Sequence, residues 1–225
     1  MEKFSRADKN RVCGDWMKAF PAMGRYRPMW LLKRNGPVLV GICLSGNRDN
    51  TAYRIIAHIH NLARPTGFVS LQLHNPLINK KGTYREELTL KSHDKEFLEA
   101  AERLKRQSLF PLSEDLSLSN LLSACSRYVG SRNLVAETPM FIYEDVITLL
   151  SWCGKLSIAK RKLGDYVKIM ADWDDDIFRH EGGRIAFFDR LVEIIEYPSK
   201  LEEIAEEEIR KLKLERIPSY PFVCD

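Results

Sequence analysis

Met29-Trp-Leu-Leu-Lys-Arg-Asn-Gly-Pro-Val-Leu-Val-Gly-Ile-Cys-Leu44 reads as two strands on either side of a tight turn. Asn35-Gly36 is the dipeptide best suited to the positive φ of a short hairpin connection. Met29–Arg34 is then the incoming strand and Val38–Leu44 the outgoing one. The outgoing strand has no polar face, so it belongs in the middle of a sheet covered on both sides. Gly46-Asn47-Arg48-Asp49-Asn50 is a loop, followed by Tyr53–Leu62 and Phe68–Asn75 as two more strands around a turn at Arg64-Pro65-Thr66-Gly67. Thr83–Leu90 fits a shorter edge strand.

The flanks are helical. Ser5 with Asp8 forms a capping-box pattern ahead of Val12, Trp16 and Ala19 on one stripe, and Pro21 ends that helix. A basic connector, Gly24–Pro28, leads into the strands. After Lys91 the pattern is helix upon helix. Asp94 is placed to cap a helix running to about Gln107, Ser117 opens the next, and Thr138-Pro139 opens a third through Ile142, Val146, Leu149 and Leu150. Two more apolar stripes follow, and Ser199-Lys-Leu-Glu202 is a capping-box pattern before a charged last helix. Together these predict an α+β fold: a mainly antiparallel sheet of about four or five strands, an N-terminal helix and an all-helical C-terminal half. With no repeat or long linker, one domain over 1–225 is expected, with a sheet core at about 29–90 and a helical part at about 92–216.

Charge is sorted along the chain. Residues 1–110 hold 20 Lys/Arg against 10 Asp/Glu, and residues 111–225 hold 15 against 21, giving the overall +4. Such sorting suits an electrostatically steered encounter. No apolar run approaches the ~20 residues of a membrane helix, and no hydrophobic leader is seen at the N-terminus, so the expectation is a cytoplasmic protein with no membrane partner. Five cysteines stand singly at 13, 43, 125, 153 and 224, an odd count at irregular spacing that argues against disulfides or zinc.

Three clusters carry candidate chemistry. His58-Ile-His60 places two imidazoles on one strand face, with His74 on the next strand. Pairing Ile59 with Leu71 and Ala57 with Leu73 puts His60 opposite Ser70, His58 opposite Gln72 and His74 opposite Ile56. His74 is then diagonal to His58, roughly 7–8 Å away, too loose for a three-histidine metal site. Neither a metal nor another cofactor is therefore expected. Arg25, Tyr26, Arg27, Trp30, Lys33 and Arg34 mix basic and aromatic residues as single-strand nucleic-acid surfaces do, but no helix-turn-helix, KH or RNP signature accompanies them. Asp172-Trp173-Asp174-Asp175-Asp176 lacks the glycine and distal glutamate of a calcium loop. It is expected instead to be a partner-facing acidic patch with Trp173 as its anchor. No G-x-S-x-G, P-loop or Cys–His pairing points to catalysis.

The run Arg27–Leu44, continued by Tyr53-Arg-Ile-Ile-Ala-His-Ile-His-Asn-Leu62, resembles the strand core of bacterial immunity-type proteins encoded beside polymorphic toxins. The shared pattern is an arginine-containing strand, a turn, an apolar strand, then a strand ending His-x-His-Asn-Leu, over about 50 of the 225 residues. The resemblance implies a noncatalytic protein that neutralises a cognate toxin by binding it, and it assigns no residue roles. A cationic, nuclease-like toxin would complement the acidic half. The competing expectation is a nucleic-acid-binding or nucleic-acid-processing protein that uses the basic half.

Overall fold

The computed structural model describes residues 3–113, 115–131 and 139–225. Helix α1 (Arg6–Ala19) precedes strands β1 (Gly24–Arg27), β2 (Trp30–Asn35), β3 (Val38–Gly46), β4 (Ala52–Asn61), β5 (Gln72–Pro76) and β6 (Glu87–Thr89). Then come α2 (Leu90–Gln107), β7 (Leu116–Ser117), α3 (Leu118–Gly130), α4 (Met140–Trp152), α5 (Leu156–Met170), a 3-10 turn (Asp175–Glu181), α6 (Arg184–Glu196), α7 (Lys200–Leu212), β8 (Ser219–Tyr220) and β9 (Phe222–Val223). The fold is α+β, as the pattern predicts.

The sheet runs β1-β2-β3-β4-β5 with antiparallel neighbours. Two short strands complete its edges. β6 pairs with β4 at Ala52–Arg54, beyond the stretch β5 uses, and β8 pairs in parallel with β2 at Arg34 and Asn35. The hairpin is where the sequence places it: Asn35 pairs with Val38, and Gly36 takes φ +51°. A Cβ on Gly36 would also come within 2.7 Å of Phe222 Cβ, so the turn needs glycine for both conformation and space.

β3 is central, and every residue from Val38 to Ile42 is buried. One face of the sheet, through Val38, Val40, Ile42, Ile55, Ala57 and Ile59, joins α1–α6 in the main core. The opposite face, through Leu32 and Leu39, is covered by Leu201, Ala205 and Leu212 of α7. α7 is therefore not charged all round; its charged residues surround a buried stripe.

Several helix starts follow the sequence. Ser5 and Asp8 form a reciprocal capping box on α1, and Ser117 does the same with Asn120 on α3. Others do not. α2 begins at Leu90 under a Thr89–Ser92 box, not at Asp94, which binds Arg11 at 2.5 Å. Ser199 heads α7 without a side-chain cap bond. Thr138 lies outside the described residues. Phe68–Leu71 is not strand: β5 starts at Gln72, and Leu73 takes φ +45° at a bulge. Ile59 consequently pairs with Gln72 and Ala57 with Asn75, so the expected register is off by one residue at Ile59 and by two at Ala57.

A buried polar chain ties α1, β4 and α2. Trp16 Nε1 donates to Tyr53 Oη (3.0 Å), the Tyr53 hydroxyl meets His93 Nδ1 (2.7 Å), and His93 Nε2 reaches Asp15 (3.3 Å). The cysteine expectation also needs correcting, since Cys153 and Cys224 form a disulfide with Cα atoms 5.3 Å apart. Their separation of 71 residues hid the pair, because only the path of the tail over β2 and β7 brings Cys224 back to the end of α4.

Candidate functional site

Where β4 ends, the chain leaves the sheet as an irregular stretch, residues 63–71, before β5 begins. This stretch faces the first turns of α4, the C-terminal half of α6 and the start of α7, and a groove of about 870 Å³ lies between them. That volume is within the range of small-ligand and side-chain pockets. Its floor and sides are apolar: Leu71, Phe141, Ile142, Ile194, Leu201 and Ile204. Phe68 and Tyr197 stand at its rim with 63% and 52% of their surfaces exposed.

Charged groups are set into one wall. Arg64 Nε lies 3.2 Å from Asp145 Oδ1 and 3.9 Å from Glu144. Arg190 bridges Glu144 (2.9 Å) and Glu181 (2.5 Å). The Arg64 side chain is 10% exposed, Glu144 3% and Asp145 0%. Asn61 at the end of β4 donates to the same Asp145 oxygen (3.0 Å), tying the network to the sheet. Burial pushes both carboxyls above their ordinary range, and the neighbouring guanidiniums pull them back. Arg64 also lies over the Phe141 ring, 5.0 Å from its centroid. Inside the protein, this is where the basic first half of the chain meets the acidic second half.

The acidic run sits elsewhere in the fold, and much of it is engaged locally. Asp174 caps the 3-10 turn through the Asp176 amide, Asp175 pairs with Arg184 (2.8 Å), and Asp176 pairs with Arg179. Trp173 is half-buried, tilted against Tyr143 and Phe178 at 6.1 and 6.3 Å, and packs on the main core. Asp172, Asp174, Asp175 and Asp176 remain exposed.

The three histidines do not converge. His58 is fully buried and accepts from Trp30 Nε1 at 2.8 Å. His60 Nδ1 accepts from the Ser70 amide (3.2 Å) and lies 2.9 Å from its hydroxyl, pinning the irregular stretch to β4. His74 is bonded to Tyr128 (3.0 Å). Among the described residues no group of three or more His, Cys, Asp or Glu is arranged to hold a metal ion. Desolvation lowers His58 to about 4 and His60 to about 3, so both are neutral at physiological pH and poor bases.

The basic–aromatic set is divided between local partners and one small cluster. Arg25 binds Asn10 (2.6 Å), Arg34 binds Ser219, and Lys33 is buried beside the Tyr220 ring. Arg27 lies over Tyr26, which meets Trp30 edge-on at 6.0 Å.

The groove residues were not singled out from the sequence, in which Arg64-Pro65 reads only as a turn. One signal was present: Glu144-Asp145 interrupts a helix otherwise apolar enough to be buried nearly throughout. Paired acids there require cations from elsewhere in the fold. The chain matches no protein-family model, and neither a curated protein nor a solved structure resembles it significantly. The fold and groove together describe an α+β protein with an apolar-floored groove at the end of its sheet. Among the described residues no helix is long and apolar enough to cross a membrane.

Proposed function

We propose that this protein acts by noncatalytic binding of a protein partner, and that the groove beside β4, rather than the acidic run, is its principal contact surface. The observation that carries this reading is the exposed Phe68–Tyr197 rim around an apolar floor. Interfaces draw most of their energy from a few aromatic anchors entering desolvated pockets. The ion network behind the floor holds Arg64, α4 and α6 in register, so the cleft exists before binding and little ordering entropy opposes association. Asp172, Asp174, Asp175 and Asp176 then steer a cationic partner toward the surface, adding rate rather than lifetime. The most concrete form of the proposal, suggested by the strand resemblance, is a cytoplasmic immunity protein that occludes a toxin.

A photo-crosslinking amino acid in place of Phe68, and another in place of Asp174, test the assignment in the host cell. One discrete protein adduct from position 68, lost on Tyr197→Ala, is the expected result. Adducts from position 174 alone would move the interface to the acidic run. The nucleic-acid reading is tested by titrating single-stranded RNA and DNA at rising salt. Binding that weakens steeply and depends on Arg25 and Arg27 would replace the present proposal.

A further inference from the structure

We propose that the outward face of α5 lies against an anionic membrane surface, held there chiefly by its lysines. This face is separate from the groove, and the inference does not depend on the groove being a binding site.

α5 is the basic exception in the acidic half of the chain. From Lys155 to Met170 it carries Lys155, Lys160, Arg161, Lys162 and Lys168 against one carboxylate, Asp165. Among the described residues none of these five side chains has an ion-pair or hydrogen-bond partner. Arg11, Arg54, Lys80, Arg103 and Arg190, by contrast, are each paired with an acid. The inner stripe of the helix, Ala159, Tyr166 and Met170, is buried in the main core. Lys160, Arg161, Val167 and Lys168 are exposed, and their spacing of i, i+1, i+7 and i+8 puts them on one side of the helix. Lys155 stands at the N-terminal end, with no acid in the first turn and no side-chain cap bond. The positive end of the helix dipole therefore adds to the field instead of being cancelled. Repulsion among these like charges works against the helix, and an anionic surface relieves it.

Carboxylates lie beyond both ends. Asp225, brought near by the Cys153–Cys224 bridge, accepts from the Ser119 amide. Past Met170, Asp175 and Asp176 are paired with Arg184 and Arg179, while Asp172 and Asp174 remain exposed. The attraction is thus centred on the first two turns, where four cations fall within the eight residues Lys155–Lys162. A cluster of that size on an amphipathic helix is what anionic lipids attract. Two observations favour a membrane over a nucleic acid. Four of the five cations are lysines, point charges suited to a diffuse field, not the guanidinium forks that grip single phosphates. The exposed apolar residues of α5 are aliphatic, Val167 at 42% and Ile169 at 50%, and its one aromatic, Tyr166, is buried, so no ring is offered for base stacking. Aliphatic side chains beside cations enter the headgroup–acyl boundary. Contact of this kind needs no crossing segment, and the sequence expectation of no membrane partner rests only on the lack of one.

Sedimentation of the intact protein with vesicles tests the assignment. Phosphatidylcholine vesicles with about 30% phosphatidylserine should bring the protein down, pure phosphatidylcholine should not, and high salt should release it. Lys160→Gln should weaken binding about fivefold. Adding Arg161→Gln and Lys168→Gln should abolish it without lowering the urea midpoint. Lys91→Gln with Lys95→Gln, which removes two equally exposed cations from α2, should leave binding unchanged. No sedimentation with the mixed vesicles, equal sedimentation with the neutral ones, or an equal loss in the α2 variant would overturn the inference. So would single-stranded RNA binding more tightly than the vesicles and being lost in the same triple variant, which would give the face to nucleic acid. The crosslinking result at position 68 bears on none of these outcomes, so the groove and the α5 face stand or fall separately.

Discussion

His58 and His60 show how single residues set this protein's response to acid. Both are held neutral by burial, near 4 and 3, whereas in an unfolded chain they titrate near 6.5. Their folded values are depressed, so the stability they support is complete above pH 6.5. It drains away as pH falls toward 4, because unfolding then takes up protons. Each histidine contributes a slope of about 1.4 kcal/mol per pH unit in that window. His93, lowered chiefly by desolvation, acts in the same direction. Glu144 and Asp145 have raised values and act oppositely: their contribution is present at low pH and lost as pH rises through their folded values. The net expectation is acid lability below pH 6.5. Urea denaturation at steps from pH 7.5 to 4.5 should show it, and His60→Gln should flatten the slope by about one proton. A flat profile for the wild-type protein would mean that the imidazoles are hydrated in the native state.

At the scale of elements, the β2–β3–β4 packing depends on Gly41. A Cβ there would sit 2.3 Å from His58 Nε2 and 2.6 Å from Leu32 Cδ2, both inside the layer beneath α7. Neither group is a flexible tip, so Gly41→Ala should cost about 1–3 kcal/mol through overpacking and break the Trp30–His58 bond. Urea unfolding followed by tryptophan fluorescence reads both effects, and a loss under about 0.5 kcal/mol would show that the layer yields easily. The same elements show what the sequence can reveal. The hairpin and the central place of β3 are legible because turn chemistry and apolar pattern are local properties. The boundary of β5 is not, because it depends on His60 gripping Ser70 and on the bulge at Leu73. The start of α2 was misplaced because two patterns compete there: Thr89 and Ser92 satisfy each other's backbone while Asp94 is drawn to Arg11. The acidic run could be seen because its residues are contiguous. The groove could not, since Arg64, Glu144, Glu181 and Arg190 meet only after α4 and α6 have packed.

For the molecule as a whole, the decisive link is the C-terminal strap. After α7 the chain crosses the hairpin, where the Arg34 amide donates to Pro218 O (2.8 Å), the Gly36 amide to Tyr220 O (3.2 Å) and Asn35 Nδ2 to Pro221 O (3.1 Å). It then pairs with β7 and ends on the Cys153–Cys224 disulfide, with Asp225 accepting from the Ser119 amide. The tail thus joins the sheet edge, α3 and α4. Closing a loop of 71 residues removes much of the unfolded chain's freedom, so the crosslink should stabilise by about 2–4 kcal/mol. Cys224→Ser should lower the unfolding free energy from urea titration by that amount and make the midpoint insensitive to dithiothreitol, whereas the wild-type midpoint should fall on reduction. The outcome also bears on where the protein works. If the reduced form keeps the strap through its backbone bonds, the protein can operate in a reducing cytoplasm, where such bridges rarely persist. If reduction releases the tail and unfolds β7 and β8, the fold needs an oxidising compartment, and the cytoplasmic immunity proposal has to be abandoned.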